Sequence, residues 1–300
     1  MNTEITKLDK NNFELMSKVM GMGSDMGDNK QASTLSRLKI QHTPIMGEIE
    51  VKGKKTQAAI VNGGVFKFDD LKNDRVYYAE NATIRPFIQR FMYKKYVKPD
   101  NEKGYYIKTV MSEGLNIDLK DNMGGFNCGK PTGYIKDYNS LPEKTKQIIK
   151  GIKRVRALLG TVSLSGVVDD SGSEVTLDDE NLPFIWEIDN RDAFKIMGEP
   201  ISKIGSWKHL PIQHRISLGT EERKLPNGSS FYLPKPNVIK DVVDITEEDE
   251  DTFEGFVQWI KNYNAYIFNA WAEKSSPENL SEEDSNIVDN FVDIEVEENA

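Results

Sequence analysis

The stretch NATIRPFIQRFMYKKYVKPDNEKGYYIKTVM, residues 81–111, decides the fold class of this chain. The apolar residues of FIQRFMYKKYV, residues 87–97, suit either a strand or a helix that begins at Pro86. The following PDNEKG has the composition of a turn, and YYIKTVM has that of a returning strand. We therefore interpret residues 87–97 as a strand and the whole stretch as a strand pair.

β-branched, aromatic and alternating patterns continue on both sides of this pair. Further strands are predicted in RLKIQH (37–42), GEIEVKGKKTQAAIV (47–61, two strands), GGVFKF (63–68), RVYYAE (75–80), ALLGTVSLSGVV (157–168), PFIWEID (183–189), IQHRISL (212–218) and SSFYLP (229–234). Residues 115–137 are rich in Gly and Asn and predict a long loop. The pattern as a whole predicts a mainly β fold of the α+β class.

Helices are predicted at fewer places. SLPEKTKQIIKGIKRVR, residues 140–156, has Ser140 as a candidate cap before its first turn. A short helix is predicted to end near Met197. The last helix covers roughly residues 252–274, where apolar side chains recur at helical spacing.

The charge is divided unevenly along the chain. Residues 241–300 hold 18 acidic and two basic residues, a net charge of −16, whereas residues 1–240 hold 37 basic and 30 acidic residues, a net charge of +7. A basic body attracts phosphate, and a tethered acidic end can compete with it. The alternative is an acidic end that serves only solubility.

The densest group of basic and aromatic residues lies in residues 85–108. Its candidate phosphate contacts are Arg85, Arg90, Lys94, Lys95, Lys98 and Lys108, and its candidate stacking rings are Tyr93, Tyr96, Tyr105 and Tyr106. Single-stranded nucleic acid needs both parts, since cations follow the backbone and exposed rings stack on bases. The alternative is a core strand pair with lysines on its outer face.

Two further groups of cations could extend this surface. Lys150, Lys153 and Arg154 lie on the predicted helix 140–156, where they could also form an ordinary solvated face. Lys130 belongs to GGFNCGKPT, residues 124–132, which matches a phosphate loop except that Pro131 replaces the Ser or Thr that binds magnesium. We interpret that segment as a glycine-rich turn whose lysine could contact a backbone phosphate.

Other classes of protein find little support in the sequence. One cysteine, Cys128, and three scattered histidines make a disulfide framework or a structural zinc site improbable, and we expect no catalytic site, metal or cofactor. No secretion signal or membrane span is recognisable, which predicts a cytoplasmic protein. A two-metal nuclease remains an alternative, with candidate carboxylates at Asp169, Asp170, Asp178 and Asp179.

A basic β body, basic-aromatic strands and an acidic C-terminal tail together resemble the single-stranded-DNA-binding proteins of tailed bacteriophages. The resemblance lies in the organisation of the whole chain and includes no diagnostic motif. It implies an OB-fold-like barrel with inserted loops and helices, cooperative coating of DNA during phage replication and recombination, and a tail that recruits a polymerase or a helicase-primase.

The resulting domain prediction has four parts. These are a flexible arm (1–30), an OB-fold-like body (31–240), an acidic linker with the C-terminal helix (241–274) and a disordered acidic tail (275–300), whose candidate partner contacts are Ile287, Phe291, Val292 and Ile294. Self-association is a further expectation. The main alternative function is that of a phage structural or assembly protein, in which the basic patches face another subunit.

Overall fold

A computed structural model describes residues 35–51, 54–99, 103–132, 135, 137–177, 180–226 and 228–275. Its strands are β1 (Arg37–Gln41), β2 (Ile45–Val51), β3 (Lys54–Val61), β4 (Val65–Asp70), β5 (Arg75–Val97), β6 (Tyr105–Lys108), β7 (Ile152–Val168), β8 (Leu182–Ile188), β9 (His214–Lys224) and β10 (Ser230–Val242). Its α-helices are α1 (Glu143–Lys150), α2 (Arg191–Ile196), α3 (Gly198–Ser206) and α4 (Glu247–Lys274). Short 3₁₀ turns lie at Asn127–Gly129, Tyr138–Ser140 and Pro211–Gln213.

Strand β5 organises the main sheet. One of its edges pairs with β7 from Tyr78 to Lys95, and its other edge pairs in turn with β4, β9 and β6. Strand β4 pairs with β1, β1 runs parallel to β8, and β8 pairs with β7, so the pairings lead back to β5. Strand β10 joins through β9, and β2 and β3 form a separate two-stranded sheet.

Alternating residues of these strands form the largest hydrophobic cluster. In β4, for example, Phe66 and Phe68 are buried while Val65, Lys67 and Asp69 are only half-buried. They pack with Leu38 of β1, Leu158 of β7 and Phe184 of β8, each of which is at most 2% exposed. The two-residue period of the sequence therefore translates directly into the buried side of the sheet.

The mainly β, α+β prediction is confirmed, and so is the strand at residues 87–97, which lies within β5. The OB-fold identification is not confirmed. An OB-fold is a Greek-key arrangement, whereas here β4 pairs with β5, β5 with β7 and β7 with β8, with β6 inserted after β5, and β9 pairs with β5 and β10. Strand β1 joins the two ends of this series, because it pairs with β4 on one side and runs parallel to β8 on the other.

A bulge allows β5 to continue past Pro86, although proline lacks an N–H for the ladder. The register to β7 shifts between Pro86 and Ile88. Gly160 lies opposite, and a Cβ there would come within 2.2 Å of the Arg85 carbonyl oxygen. Only glycine permits this close approach of the two strands.

Helix α4 is part of the body. Thr246 caps it, since the Thr246 hydroxyl accepts a hydrogen bond from the Asp249 N–H, and the helix therefore begins five residues before the predicted residue 252. Phe256 and Ile260 pack against the sheet in a cluster with Met92 of β5. The region placed beyond the body in the sequence analysis thus supplies some of its core.

The predicted helix 140–156 is wrong in its second half. Helix α1 ends at Lys150 with Gly151 as its C-cap, and IKRVR begins strand β7. Residues 152–156 pair with β5, and that ladder outweighs the weak helical spacing of their apolar residues. Ser140 lies in a 3₁₀ turn, and Pro142 occupies the N-cap position that we assigned to Ser140.

Some predictions lie outside the described residues. They include the N-terminal arm, residues 1–30, and the tail from residue 276 onwards with Ile287, Phe291, Val292 and Ile294. These stay predictions from the sequence.

Candidate nucleic-acid interface

The β5–β6 hairpin exposes aromatic rings near its tip. Tyr96 and Tyr106 lie opposite each other in the ladder, with ring centroids 5.0 Å apart. Tyr96 is 53% exposed, Tyr106 49% and Tyr105 39%, which leaves all three rings accessible to a base. Lys98 and Lys103, on the two arms of the turn, are exposed as well. We call residues 94–108 the tyrosine hairpin.

The pleat of β5 divides the predicted site residues between two faces, because residues directly opposite each other in an antiparallel ladder share a face. One face, which we call the tyrosine face, carries Lys94, Tyr96, Tyr106, Lys108 and Lys153. The other, which we call the arginine face, carries Tyr93, Lys95, Tyr105 and Arg154. The sequence alone predicts a single surface for these residues.

Two carboxylates offset part of the positive charge on the tyrosine face. Lys94 and Lys108 reach Glu187 of β8 at 3.3 and 3.1 Å. Lys94 and Lys153 reach Asp189 at 3.3 and 3.2 Å. Three ammonium groups therefore face two carboxylates, and a small positive excess remains.

The same lysines set the ionisation of the two acids. Burial alone would raise the pKa of Glu187, but Lys108 and Lys94 outweigh it and hold the pKa below its ordinary value. Asp189 behaves alike: burial raises its pKa, and Lys94 and Lys153 bring it below the ordinary value. Both groups are therefore anionic at neutral pH.

The arginine face has less opposing charge. Within the described part of the chain, no ion pair involves Lys95 or Arg154. The Arg154 guanidinium lies over the Phe194 ring at 5.4 Å. The Lys130 Nζ lies 5.5 Å from the Tyr93 ring centroid. Burial and the nearby charge of Arg154 both lower the pKa of Lys130. Arg154 and Lys130 are thus close enough to repel each other.

Two predicted site residues, Arg85 and Tyr93, belong to the interior. Arg85 is 9% exposed and donates to Asp249 at 2.7 Å and to the carbonyl oxygens of Ile212 and Asp244. Tyr93 is 3% exposed, and its hydroxyl donates to the Leu115 carbonyl oxygen at 3.4 Å. Helix α4 and the 107–128 segment cover them, so neither side chain is positioned to touch a strand of DNA.

The remaining predicted residues lie at the margin. Arg90 is half-buried and 3.7 Å from Glu113. Lys150 is exposed at the end of α1, immediately before β7. Both are adjacent to the interface rather than inside it.

The glycine-rich segment 124–132 binds an anion of its own chain. Asp121, which is 2% exposed, accepts hydrogen bonds from the N–H groups of Met123, Gly125 and Cys128 at 3.0, 3.0 and 3.1 Å. Burial raises the pKa of Asp121 and these donors lower it, with burial the larger effect. Burial also raises the pKa of the Cys128 thiol. The amides that a phosphate loop offers to nucleotide are thus committed, and the interpretation as a turn is confirmed.

Two of the carboxylates considered for a two-metal site, Asp169 and Asp170, lie in a loop after β7. Asp169 accepts hydrogen bonds from the N–H groups of Ser171 and Ser173, and Asp178 and Asp179 lie outside the described residues. Over the described ranges, no group of three or more His, Cys, Asp or Glu side chains is arranged to hold a metal ion. In the same ranges, no helix combines the length and apolarity needed to cross a membrane.

Sequence reasoning missed the acidic partners Glu187 and Asp189. A signal existed, because Glu187 stands inside the apolar strand PFIWEI, and a charge in such a strand needs a partner. It also assigned Phe194 no role, although the Phe194 ring lies beside Arg154.

Comparisons of the chain with protein-family models, curated proteins and solved structures find no match. The resemblance to the single-stranded-DNA-binding proteins of tailed phages therefore stays a prediction. The interface is described by its own geometry alone.

Proposed function

We propose that this chain is a non-enzymatic protein that binds single-stranded DNA through the tyrosine hairpin and the arginine face. The observation that carries this is the exposed ring pair Tyr96 and Tyr106, with Tyr105 exposed on the other face of the same hairpin and exposed lysines beside its tip. Monomeric proteins seldom leave clustered rings exposed without a partner. Rings within reach of cations are the combination that single strands require.

The phosphates would follow the cations that have the least opposing charge. Lys95 and Arg154 lie on the arginine face, and Lys98 and Lys103 lie beside the hairpin tip. Neutralising phosphates releases counterions, so binding should weaken steeply with salt. Stacking on the tyrosines does not depend on base identity, which predicts little sequence preference.

The wider role that we propose is the coating of exposed strands during phage DNA replication and recombination, in the cytoplasm of the host. It is supported by the charge division of the chain, with a net −16 in residues 241–300. In this proposal the acidic tail recruits a polymerase or helicase-primase. The closed circuit of strand pairings, β5–β4–β1–β8–β7, is the feature on which an OB-like barrel would rest.

A binding titration tests the proposal. Fluorescence anisotropy with labelled oligothymidylate and with a duplex of equal length should give tighter binding to the single strand. The double variant Tyr96→Ala/Tyr106→Ala should weaken that binding by roughly tenfold or more, since stacking contributes about 1–3 kcal/mol per base. The matched control is Tyr266→Ala, which removes a ring that is 64% exposed on α4.

Two outcomes contradict the proposal. One is equal affinity for single strand and duplex. The other is an equal effect of the hairpin variant and Tyr266→Ala, with both proteins folded by circular dichroism.

A second candidate function is subunit assembly, favoured by the β2–β3 sheet. That sheet has only two strands, Met46 on it is 55% exposed, and most of β3 is exposed. A two-stranded hairpin is marginal in water without packing partners. Self-association through it predicts that Met46→Glu lowers the molar mass found by sedimentation at high protein concentration; an unchanged monomeric mass in both proteins would contradict it.

A further inference from the structure

A shallow cavity of about 660 Å³, wide open to solvent, lies on the arginine face, where β5 and β7 meet α2 and α3. Such a volume lies within the range of small-molecule sites, roughly 300–1,000 Å³. The residues of its wall that matter here are Gln89, Phe91, Arg156, Lys195, Gly198 and Glu199. Arg156 lies directly opposite Phe91 in the ladder, so the two side chains leave the sheet on the same face.

Arg156 is a buried cation. It is 8% exposed, its Nε donates to the Phe194 carbonyl oxygen at 3.0 Å, and its Nη1 donates to Gln89 Oε1. Among the residues that the structure describes, no carboxylate pairs with it. Burial lowers its pKa, yet a guanidinium keeps its charge in proteins. A buried charge without a counterion is costly, and an anion in the cavity would relieve that cost.

Two aromatic rings hold the guanidinium in place. Its Cζ lies 5.1 Å from the Phe91 ring centroid and 4.6 Å from that of Phe194. Arg154 contacts the same Phe194 ring, since its Cζ lies 5.4 Å from the ring centroid. Cation–π contacts stabilise this placement but leave the positive charge in place. The cavity is therefore continuous with the arginine face.

Gly198 makes room for the remaining nitrogen, Nη2. A Cβ at this position would lie 2.5 Å from Nη2 and 3.1 Å from Cζ of Arg156. Within the described ranges, no acceptor takes a hydrogen bond from Nη2. Lys195 is exposed on the same wall, so two cations face one carboxylate, that of Glu199.

We propose that this cavity binds one nucleotide, with the phosphate on Arg156 and Lys195 and the base against the Phe91 ring. A guanidinium with a nitrogen to spare matches phosphate oxygens, and a ring in the same wall offers a stacking surface. The inference deepens the proposed function and rests on it for the source of the nucleotide, namely the strand bound beside Arg154. A free mononucleotide offers the same phosphate and base to this cavity as a nucleotide of the bound strand.

Calorimetry on the full chain with thymidine monophosphate, thymidine and inorganic phosphate tests this. Thymidine monophosphate should bind most tightly. Lys195→Ala should weaken it by roughly tenfold, the value of one hydrogen bond to a charged group. Lys203→Ala is the matched control, because this exposed lysine lies on α3 over Trp207 and outside the cavity wall. Gly198→Ala should also weaken binding by displacing Nη2.

The outcomes separate this inference from the proposed function. Thymidine binding as tightly as its monophosphate, phosphate binding as tightly as the nucleotide, or equal effects of Lys195→Ala and Lys203→Ala each overturn the nucleotide site. If oligothymidylate still binds and loses affinity on Tyr96→Ala/Tyr106→Ala, the proposed function stands without the cavity. If the mononucleotide binds in a Lys195-dependent way and oligothymidylate does not bind, the cavity stands and its source in a bound strand is wrong.

Discussion

At the scale of single residues, Arg85 and Asp249 form a buried ion pair that ties β5 to α4. Arg85→Met would leave the Asp249 carboxylate without its cation. We expect the free energy of unfolding to fall by about 3–5 kcal/mol, as for other broken buried pairs. Urea unfolding measures it, and the folded variant should bind oligothymidylate as the parent does.

The pH dependence of that loss has a defined sign. Burial alone would raise the pKa of Asp249, but hydrogen bonds from Thr246 and Arg85 bring it below the ordinary value. A depressed pKa contributes stability above the unfolded pKa of about 3.9, and the contribution is lost as pH falls through the folded pKa. The penalty of Arg85→Met should therefore shrink towards acid pH; a penalty that grows there would contradict the ion pair.

At the scale of elements, the pairing of β5, β7 and β8 brings Glu187 to the lysines of the tyrosine face. Glu187→Gln would release Lys94 and Lys108 for phosphate. We expect tighter binding of oligothymidylate at low salt, by roughly two- to tenfold, and a gain that shrinks as salt rises. Anisotropy titrations at several salt concentrations measure it.

The control for this change is Glu254→Gln, which removes the same charge from the exposed side of α4. It should alter affinity much less than Glu187→Gln. Equal gains from both variants would mean that net charge alone acts, and that Lys94 and Lys108 of the tyrosine hairpin do not contact DNA.

At the scale of the whole molecule, the charge division predicts competition between the acidic end and DNA. Residues 275–300 carry nine acidic residues and no basic residue. A polyanion tethered to a cationic surface has a high effective concentration there. Truncation after Ser275 should raise affinity for oligothymidylate at low salt, and the gain should vanish at high salt because of screening.

A full-length variant in which these nine acidic residues become Asn or Gln separates charge from length. It should behave like the truncated chain. If truncation raises affinity and the neutral variant does not, the tail acts by bulk and the electrostatic account is wrong.

The sequence by itself determined those features that depend on local periodicity or on composition. The pattern of GGVFKF predicts most of β4, and helical spacing predicts most of α4, because the side that a residue presents follows from backbone geometry alone. The net charges of the two parts of the chain need no structure at all. The glycine-rich segment 124–132 is also recognisable as a turn, because Pro131 stands where a phosphate loop requires the hydroxyl of Ser or Thr.

Only the tertiary structure decided which of the basic and aromatic residues are accessible. Residues 85–108 look like one surface in sequence, yet the pleat sends Tyr93 and Tyr96 to opposite faces. Tyr93 is then covered by segments far away in the chain, among them the part of α4 around Ile267. Arg156, which the sequence predicts on a helix, lies in a strand beside a cavity. Its ladder partner is Phe91, 65 positions earlier in the chain, and no local sequence pattern encodes a contact over that separation.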